Sequence, residues 1–157
     1  MIPRTVPPLA TQSSRPSLDF APVAIIADDD RVIRELCREV LEAEALRVLT
    51  AANGQEALAL AEAWMPDVLV TDVVMPSLDG FGLIRALRRL YPEVPVIVIT
   101  GDEEYEGRPI EEVAAEHGAA ATFIKPFDVT QLEAAVRSAV PFLRPKPHGD
   151  TTGVRAA

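Results

Sequence analysis

Cysteine occurs once and lysine twice in the 157 residues. The lone Cys37 excludes an internal disulfide and a Cys-rich zinc site. It lies in a helical pattern and reads as a small core or boundary residue, not a reactive thiol. No apolar run is long enough to span a membrane. The opening stretch MIPRTVPPLATQSSRPSLDF has no continuous apolar core, so it is no secretory signal, and a cytoplasmic protein is the expectation. A Gly-rich P-loop, a GxGxxG turn and the alternating-acid calcium loop are all missing, which excludes the mononucleotide enzymes and calcium binders built on them. Basic charge is scarce where it would matter for nucleic acid. Residues 21–140 hold 22 acidic and 10 basic side chains, net -12, while the two ends hold 2 and 5, net +3. Such a body is a poor replacement for phosphate counterions but suits a cation site or a basic protein partner.

What is present alternates. The length favours one domain, and a hydrophobic fraction of 48% can build one core. VAIIA (23–27) reads as a buried strand. Asp30 caps a helix carrying Ile33, Leu36, Val40 and Leu41 at helical spacing. RVLTA (47–51) is a second strand. Asn53-Gly54 marks a turn into the helix 55–64, which Pro66 stops. DVLVTD (67–72) is a third strand, followed by the turn MPSLDG and the helix 81–91. PVIVIT (95–100) is a fourth strand. An acidic loop leads to the helix 110–118, with Gly118 past its end. TFIK (122–125) is a fifth strand and 129–140 a last helix, ended by Pro141. Strands apolar throughout suit a parallel sheet covered on both faces, an α/β fold. Residues 1–20 read as a flexible N-terminal arm and 141–157 as a flexible C-terminal tail. The 17 residues after Val140 are too few for an output domain, so none is expected.

In open α/β sheets, ligands bind outside the carboxyl ends of the strands. Strand one ends in Asp28 and Asp29, strand three in Asp72, strand four in Thr100 and strand five in Lys125. Any one of these could be the polar residue where a strand meets water. Their convergence with complementary sign needs more. Clustered carboxylates without His or Cys favour a hard cation, and Mg²⁺ fits better than Ca²⁺ because it makes do with one or two carboxylates, waters and phosphate oxygens; Mn²⁺ is the substitute. The chain uses 13 Arg against two Lys, one of them Lys146 in the tail. Lys125 therefore answers a need for a compact point charge. With these groups together, phosphoryl transfer to Asp72 is the natural chemistry: cation, Lys125 and the Thr100 hydroxyl each take one of the three equatorial oxygens.

ADDD, TDVVMPSLDG, VIVITG and FIKPF, in that order and at appropriate spacing, resemble the receiver domain of two-component response regulators over Val23 to Val140. The resemblance implies a flavodoxin-like (βα)5 three-layer sandwich with a parallel five-stranded sheet in the order 2-1-3-4-5. It implies that Asp72 accepts phosphate from a phosphohistidine on a sensor histidine kinase or phosphotransfer protein. Asp28, Asp29, Asp72 and the backbone carbonyl of Val74 would hold Mg²⁺, and Thr100 and Lys125 would contact the phosphoryl group. The Lys125-Pro126 bond would be cis, and Asp79-Gly80 would turn into the third helix. The chain would be no enzyme beyond its own phosphorylation and slow autodephosphorylation. It would act on a downstream protein target through the face of fourth helix, fifth strand and fifth helix, which could also serve a homodimer, and bind no nucleic acid or membrane directly.

Three departures bear on the switch. Thr122 stands where the family commonly has an aromatic that moves inward with the Thr100 hydroxyl. Phe123 is adjacent but falls on the opposite face of the strand. The stretch from Thr100 to Gly118 is longer than the family's pattern, with the extra length in GDEEYEGRP. Val74 occupies a position where many members carry a polar side chain, and it cannot orient an attacking water; the Asp102 carboxylate is the group left to repel or order one. Trp64 and Met65 read as boundary packing, His117 as a helix-terminal charge partner, and Asp102, Glu103, Glu104 and Glu106 as a solvated loop or a gate. The other readings are a phosphate shuttle or sink, a receiver-shaped interaction module that is not phosphorylated, and a phosphatase with an aspartyl nucleophile. The last would want an acid where Val74 stands.

Overall fold

The computed structural model describes residues 21–141. The expectations for 1–20 and 142–157, Lys146 included, lie outside the described residues. In chain order the elements are β1 (Val23–Ala27), α1 (Arg31–Ala43), β2 (Arg47–Ala51), α2 (Gly54–Trp64), β3 (Val68–Thr71), α3 (Gly80–Leu90), β4 (Val96–Thr100), β5 (Glu104–Tyr105), β6 (Arg108–Pro109), α4 (Ile110–Glu116), β7 (Ala121–Ile124) and α5 (Val129–Ala139). Five parallel strands form one sheet in the order β2-β1-β3-β4-β7. This is the flavodoxin-like order expected, with β7 as the fifth strand of the sheet.

Side chains alternate across a strand, and because both faces are covered each strand feeds two cores. Ile25, Leu69, Val96 and Val98 pack with Phe81, Ile84 and Leu87 of α3 and Ile110 of α4. Ala24, Ile26, Val68, Val70, Ile97 and Ile99 pack with Leu41 of α1 and Leu132 and Val136 of α5. Each fully buried Leu, Ile or Phe contributes about 1.5–3 kcal/mol of apolar transfer. Cys37 is in this second core, and burial pushes its thiol up to about 12, as its reading as a core residue requires.

Among the described residues, α1, α2, α3 and α5 begin on side-chain caps, whereas α4 follows Pro109 without one. Asp30, Asn53, Asp79 and Asp128 accept from Val32, Glu56, Gly82 and Thr130 N–H groups, each satisfying an orphan donor of the first turn. Asn53-Gly54 is therefore a cap and first helical residue. Gly54 is needed for close approach, since a Cβ there would lie 2.2 Å from the Leu78 carbonyl oxygen. Gly118 follows α4 at φ 78°, as expected.

The acidic loop is not irregular. Glu104 pairs with Pro109 and Tyr105 with Arg108 as a two-residue antiparallel hairpin. Glu106 and Gly107 both take positive φ, 50° and 76°, the signs of a type I′ turn. One other expectation needs correction. Met65 is 67% exposed and left-handed, so it packs little, while Trp64 carries the Arg47 guanidinium 4.2 Å above its ring. His117 stands at the end of α4 as expected and meets a carbonyl of its last turn. It stacks on Phe81 with ring centroids 4.4 Å apart, and its nitrogens meet the Val113 carbonyl (2.8 Å) and Arg85 Nη1 (3.3 Å).

Candidate functional site

Strand register brings the predicted residues to one edge. Ala27 is aligned with Ala51 and Thr71, and Thr100 with Ile124, so the residues just after β1, β3 and β7 emerge together with the end of β4. Main-chain bonds tie these exits: Asp28 N–H to Ala51 O, Asp72 N–H to Ala27 O, and Lys125 N–H to Thr100 O at 2.8 Å. One carboxylate oxygen from each of Asp28, Asp29 and Asp72 lies within 4.8 Å of the others. Asp28 and Asp72 are buried and Asp29 is exposed.

Lys125 bridges the two buried acids. Its Nζ donates to Asp28 Oδ2 at 2.8 Å and to Asp72 Oδ2 at 3.0 Å. The other oxygens have backbone donors: Asp30 N–H to Asp28 Oδ1 at 2.8 Å and Val73 N–H to Asp72 Oδ1 at 2.6 Å. Burial pushes the Asp28 carboxyl above its ordinary range; Lys125 pulls back, and the Asp72 charge pushes the same way as burial. Burial alone would lower the Lys125 ammonium, but the two carboxylates outweigh it and hold it above the usual lysine value. Three carboxylates and one ammonium leave a charge of -2. The all-oxygen, anionic donor set fits a hard divalent cation such as Mg²⁺.

Of the remaining predicted residues, Thr100 is fully buried, with its Oγ1 accepting from Asp102 N–H at 3.2 Å. Val74 exposes 59% of its surface beside Asp72. Thr122 lies between Ala121 and Phe123, both of which pack into the α1/α5 core, so it faces the α2–α4 side and Phe123 does not, as alternation required. The Lys125-Pro126 bond is cis. Asp79-Gly80 opens α3, with Gly80 N–H on Val73 O and no room for a Cβ, which would meet the Asp72 carbonyl oxygen at 2.0 Å.

Two residues were not foreseen. Arg34 Nη1 donates to the Asp28 carbonyl at 2.7 Å; only its place one turn into α1 hinted at this. Tyr105 donates its hydroxyl to Asp79 Oδ2 at 3.1 Å and sets its ring edge-on to Phe81 at 4.7 Å. No local pattern marks it.

The family profile described as the response regulator receiver domain matches residues 24–137. The chain belongs to this family. Curated relatives include a probable transcriptional regulator ycf27 of Guillardia theta (36% identical over 114 residues, 73% of this chain and 43% of the relative) and the response regulator MprA of Mycobacterium avium (35% over 131 residues, 83% and 55%). A third is the DNA-binding transcriptional regulator NtrC of Salmonella typhimurium (33% over 115 residues, 73% and 24%). The chain spans about a quarter to just over half the length of these relatives. Among solved structures, a receiver domain protein from Clostridium thermocellum superposes with TM-score 0.69 at 27% identity, covering 76% of this chain and 94% of the other. The chemotaxis protein CheY4 of Vibrio cholerae gives 0.67 at 29%, covering 76% and 98%. Among the described residues of this receiver domain no helix is long and apolar enough to cross a membrane.

Proposed function

We propose that the receiver domain is a cytoplasmic, phosphorylation-dependent switch whose phosphoacceptor is Asp72. The observation that carries this reading is the Lys125 bridge between Asp28 and Asp72. An ammonium has three donors; two point at these carboxylates, which leaves one for a phosphoryl oxygen. An Asp72 oxygen forms the bond to phosphorus as the bond to the donor's imidazole nitrogen breaks. That nitrogen keeps the electron pair and takes a proton from solvent. Asp28, Asp29, Asp72 and the Val74 carbonyl would hold Mg²⁺ or Mn²⁺, which when bound offsets charge on the phosphoryl oxygens. Lys125 holds Asp72 in position and meets developing charge, and the Thr100 hydroxyl supplies a further donor, so catalysis is positioning plus electrostatics.

The donor would be a sensor histidine kinase or phosphotransfer protein, and the output protein binding, through the face of α4, β7 and α5, with a partner or a second copy. The chain would catalyse only its own phosphorylation and slow autodephosphorylation, and would bind no nucleic acid directly. A phosphate shuttle or sink uses the same site. Incubation with Mg²⁺ and acetyl phosphate, followed by intact mass, should show one added phosphate that Asp72→Asn abolishes. Transfer from a phosphorylated kinase is the second donor to try. A chain that stays unmodified with both donors would leave only the interaction-module reading.

A further inference from the structure

We propose that Tyr105 is a positioning residue for this site: a latch that holds the β5–β6 hairpin on α3 and opposes the rearrangement a phosphoryl group on Asp72 requires. The inference rests on the reading of Asp72 as the phosphoacceptor.

The hairpin lies between Thr100 and α4, fastened to the site at its start and to α4 at its end. At its start, the Asp102 N–H donates to Thr100 Oγ1. At its end, Ile110, the first residue of α4, donates its N–H to Glu103 O at 2.9 Å. In between, Glu104, Glu106, Gly107 and Arg108 are exposed, and Tyr105 alone is partly buried. Its hydroxyl bonds Asp79 and its ring meets Phe81, both at the start of α3. Asp79 in turn caps α3 through Gly82 N–H at 2.7 Å, and Gly80 beside it presses on the Asp72 peptide. Tyr105 therefore joins the segment after Thr100 to the loop after Asp72.

A Thr100 hydroxyl that turns toward a phosphoryl oxygen gives up its bond from Asp102. Gly101 has open space around it and can follow. The hairpin can follow only if Tyr105 leaves Asp79, and α4 moves with it because Ile110 is bonded to Glu103. Thr122 offers no ring for such a relay on the β7 side; the aromatic stands on the hairpin. Coupling of this kind is reciprocal. Removing the latch must make the phosphorylated arrangement easier to reach.

Tyr105→Phe keeps the ring on Phe81 and deletes the bond. Beryllofluoride with Mg²⁺, an equilibrium mimic of an aspartyl phosphate, is titrated into wild type and variant by calorimetry. The variant should bind about five-fold more tightly, the equivalent of about 1 kcal/mol. In wild type carrying 3-fluorotyrosine, the Tyr105 fluorine resonance should shift on saturation while that of Tyr91, on the far end of α3, stays. A Tyr105 that only packs predicts equal or weaker binding and an unmoved resonance, and either result overturns the latch. A wild type that neither binds beryllofluoride nor accepts phosphate removes the phosphoacceptor reading and the latch together. Binding by wild type with no gain in the variant removes the latch alone.

Discussion

Replacing Lys125 with Met deletes the cation that bridges Asp28 and Asp72 and keeps the side chain's length. At about 3 Å and an effective dielectric near 20, each contact amounts to about 5 kcal/mol before desolvation. Breaking a buried pair by removing one partner costs about 3–5 kcal/mol. The Lys125 side chain is 19% exposed against 3% and 9% for the two acids, so water takes over part of its role, and a loss of about 2–3 kcal/mol at neutral pH in a chelator is expected from urea unfolding. That is a large part of the ~5–15 kcal/mol of a typical domain, and the variant should still fold. Two further measurements separate the electrostatic cause from lost packing. The site charge falls from -2 to -3, so Mg²⁺ should bind the variant more tightly and stabilise it more than wild type, in proportion to RT ln(1 + [L]/Kd), narrowing the gap. Acid should narrow it too. Burial holds the folded Asp28 carboxyl above the 3.8 of an ordinary aspartate, so the fold takes up this proton before the unfolded chain does. That contribution is complete below 3.8 and is lost as pH rises through the folded value. With Lys125 gone, protonating Asp28 also relieves its repulsion with Asp72. A loss under ~1 kcal/mol, or a variant that Mg²⁺ stabilises less than wild type, would refute the reasoning.

Gly80→Ala should cost about 2–3 kcal/mol of overpacking and weaken Mg²⁺ binding as well, because the atom it strikes is the Asp72 carbonyl oxygen; denaturation and a metal titration check the two effects. Gly54→Ala strikes the Leu78 carbonyl instead and should lose similar stability with less effect on the metal. Cys37 ionises near 9.0 when unfolded but only at about 12 in the fold, so its contribution is intact below 9.0 and drains between these values, by up to about 1.4 kcal/mol per pH unit. Cys37→Ala should flatten that alkaline slope, and iodoacetamide should modify the wild-type thiol only as fast as the domain opens. Arg88 donates to the carbonyls of Pro92, Val94 and Gly118 at once, a fork that an ammonium cannot copy, so Arg88→Lys should lose about 1–2 kcal/mol by urea unfolding.

Distance along the chain did not decide what could be read from the residues. Asp28 and Lys125 are 97 residues apart, yet their meeting was legible, because apolar runs bounded by helices dictate a parallel sheet, and such a sheet delivers its strand ends to one edge. Topology turned a long-range contact into a one-dimensional rule, and the four strand ends needed only to be inspected for chemistry. The hairpin is the opposite case. Its strands are two residues long and its partners adjacent, but Glu104-Tyr105 carries no apolar alternation, and the acidic setting resembles a solvated loop. Only Glu106-Gly107 hinted at a turn. What makes the hairpin consequential is Tyr105 meeting Asp79 and Phe81, and that depends on how far α3 begins past β3 and how closely Gly80 lets it approach. Those distances are set by packing, not by periodicity. Arg34 was missed for the same reason: a polar residue in the first turn of α1 reads as solvated until the Asp28 carbonyl is known to lie beneath it. The groups proposed for the chemistry stand at strand ends, where pattern speaks. The contacts that could govern them stand on loops and first turns, where it does not.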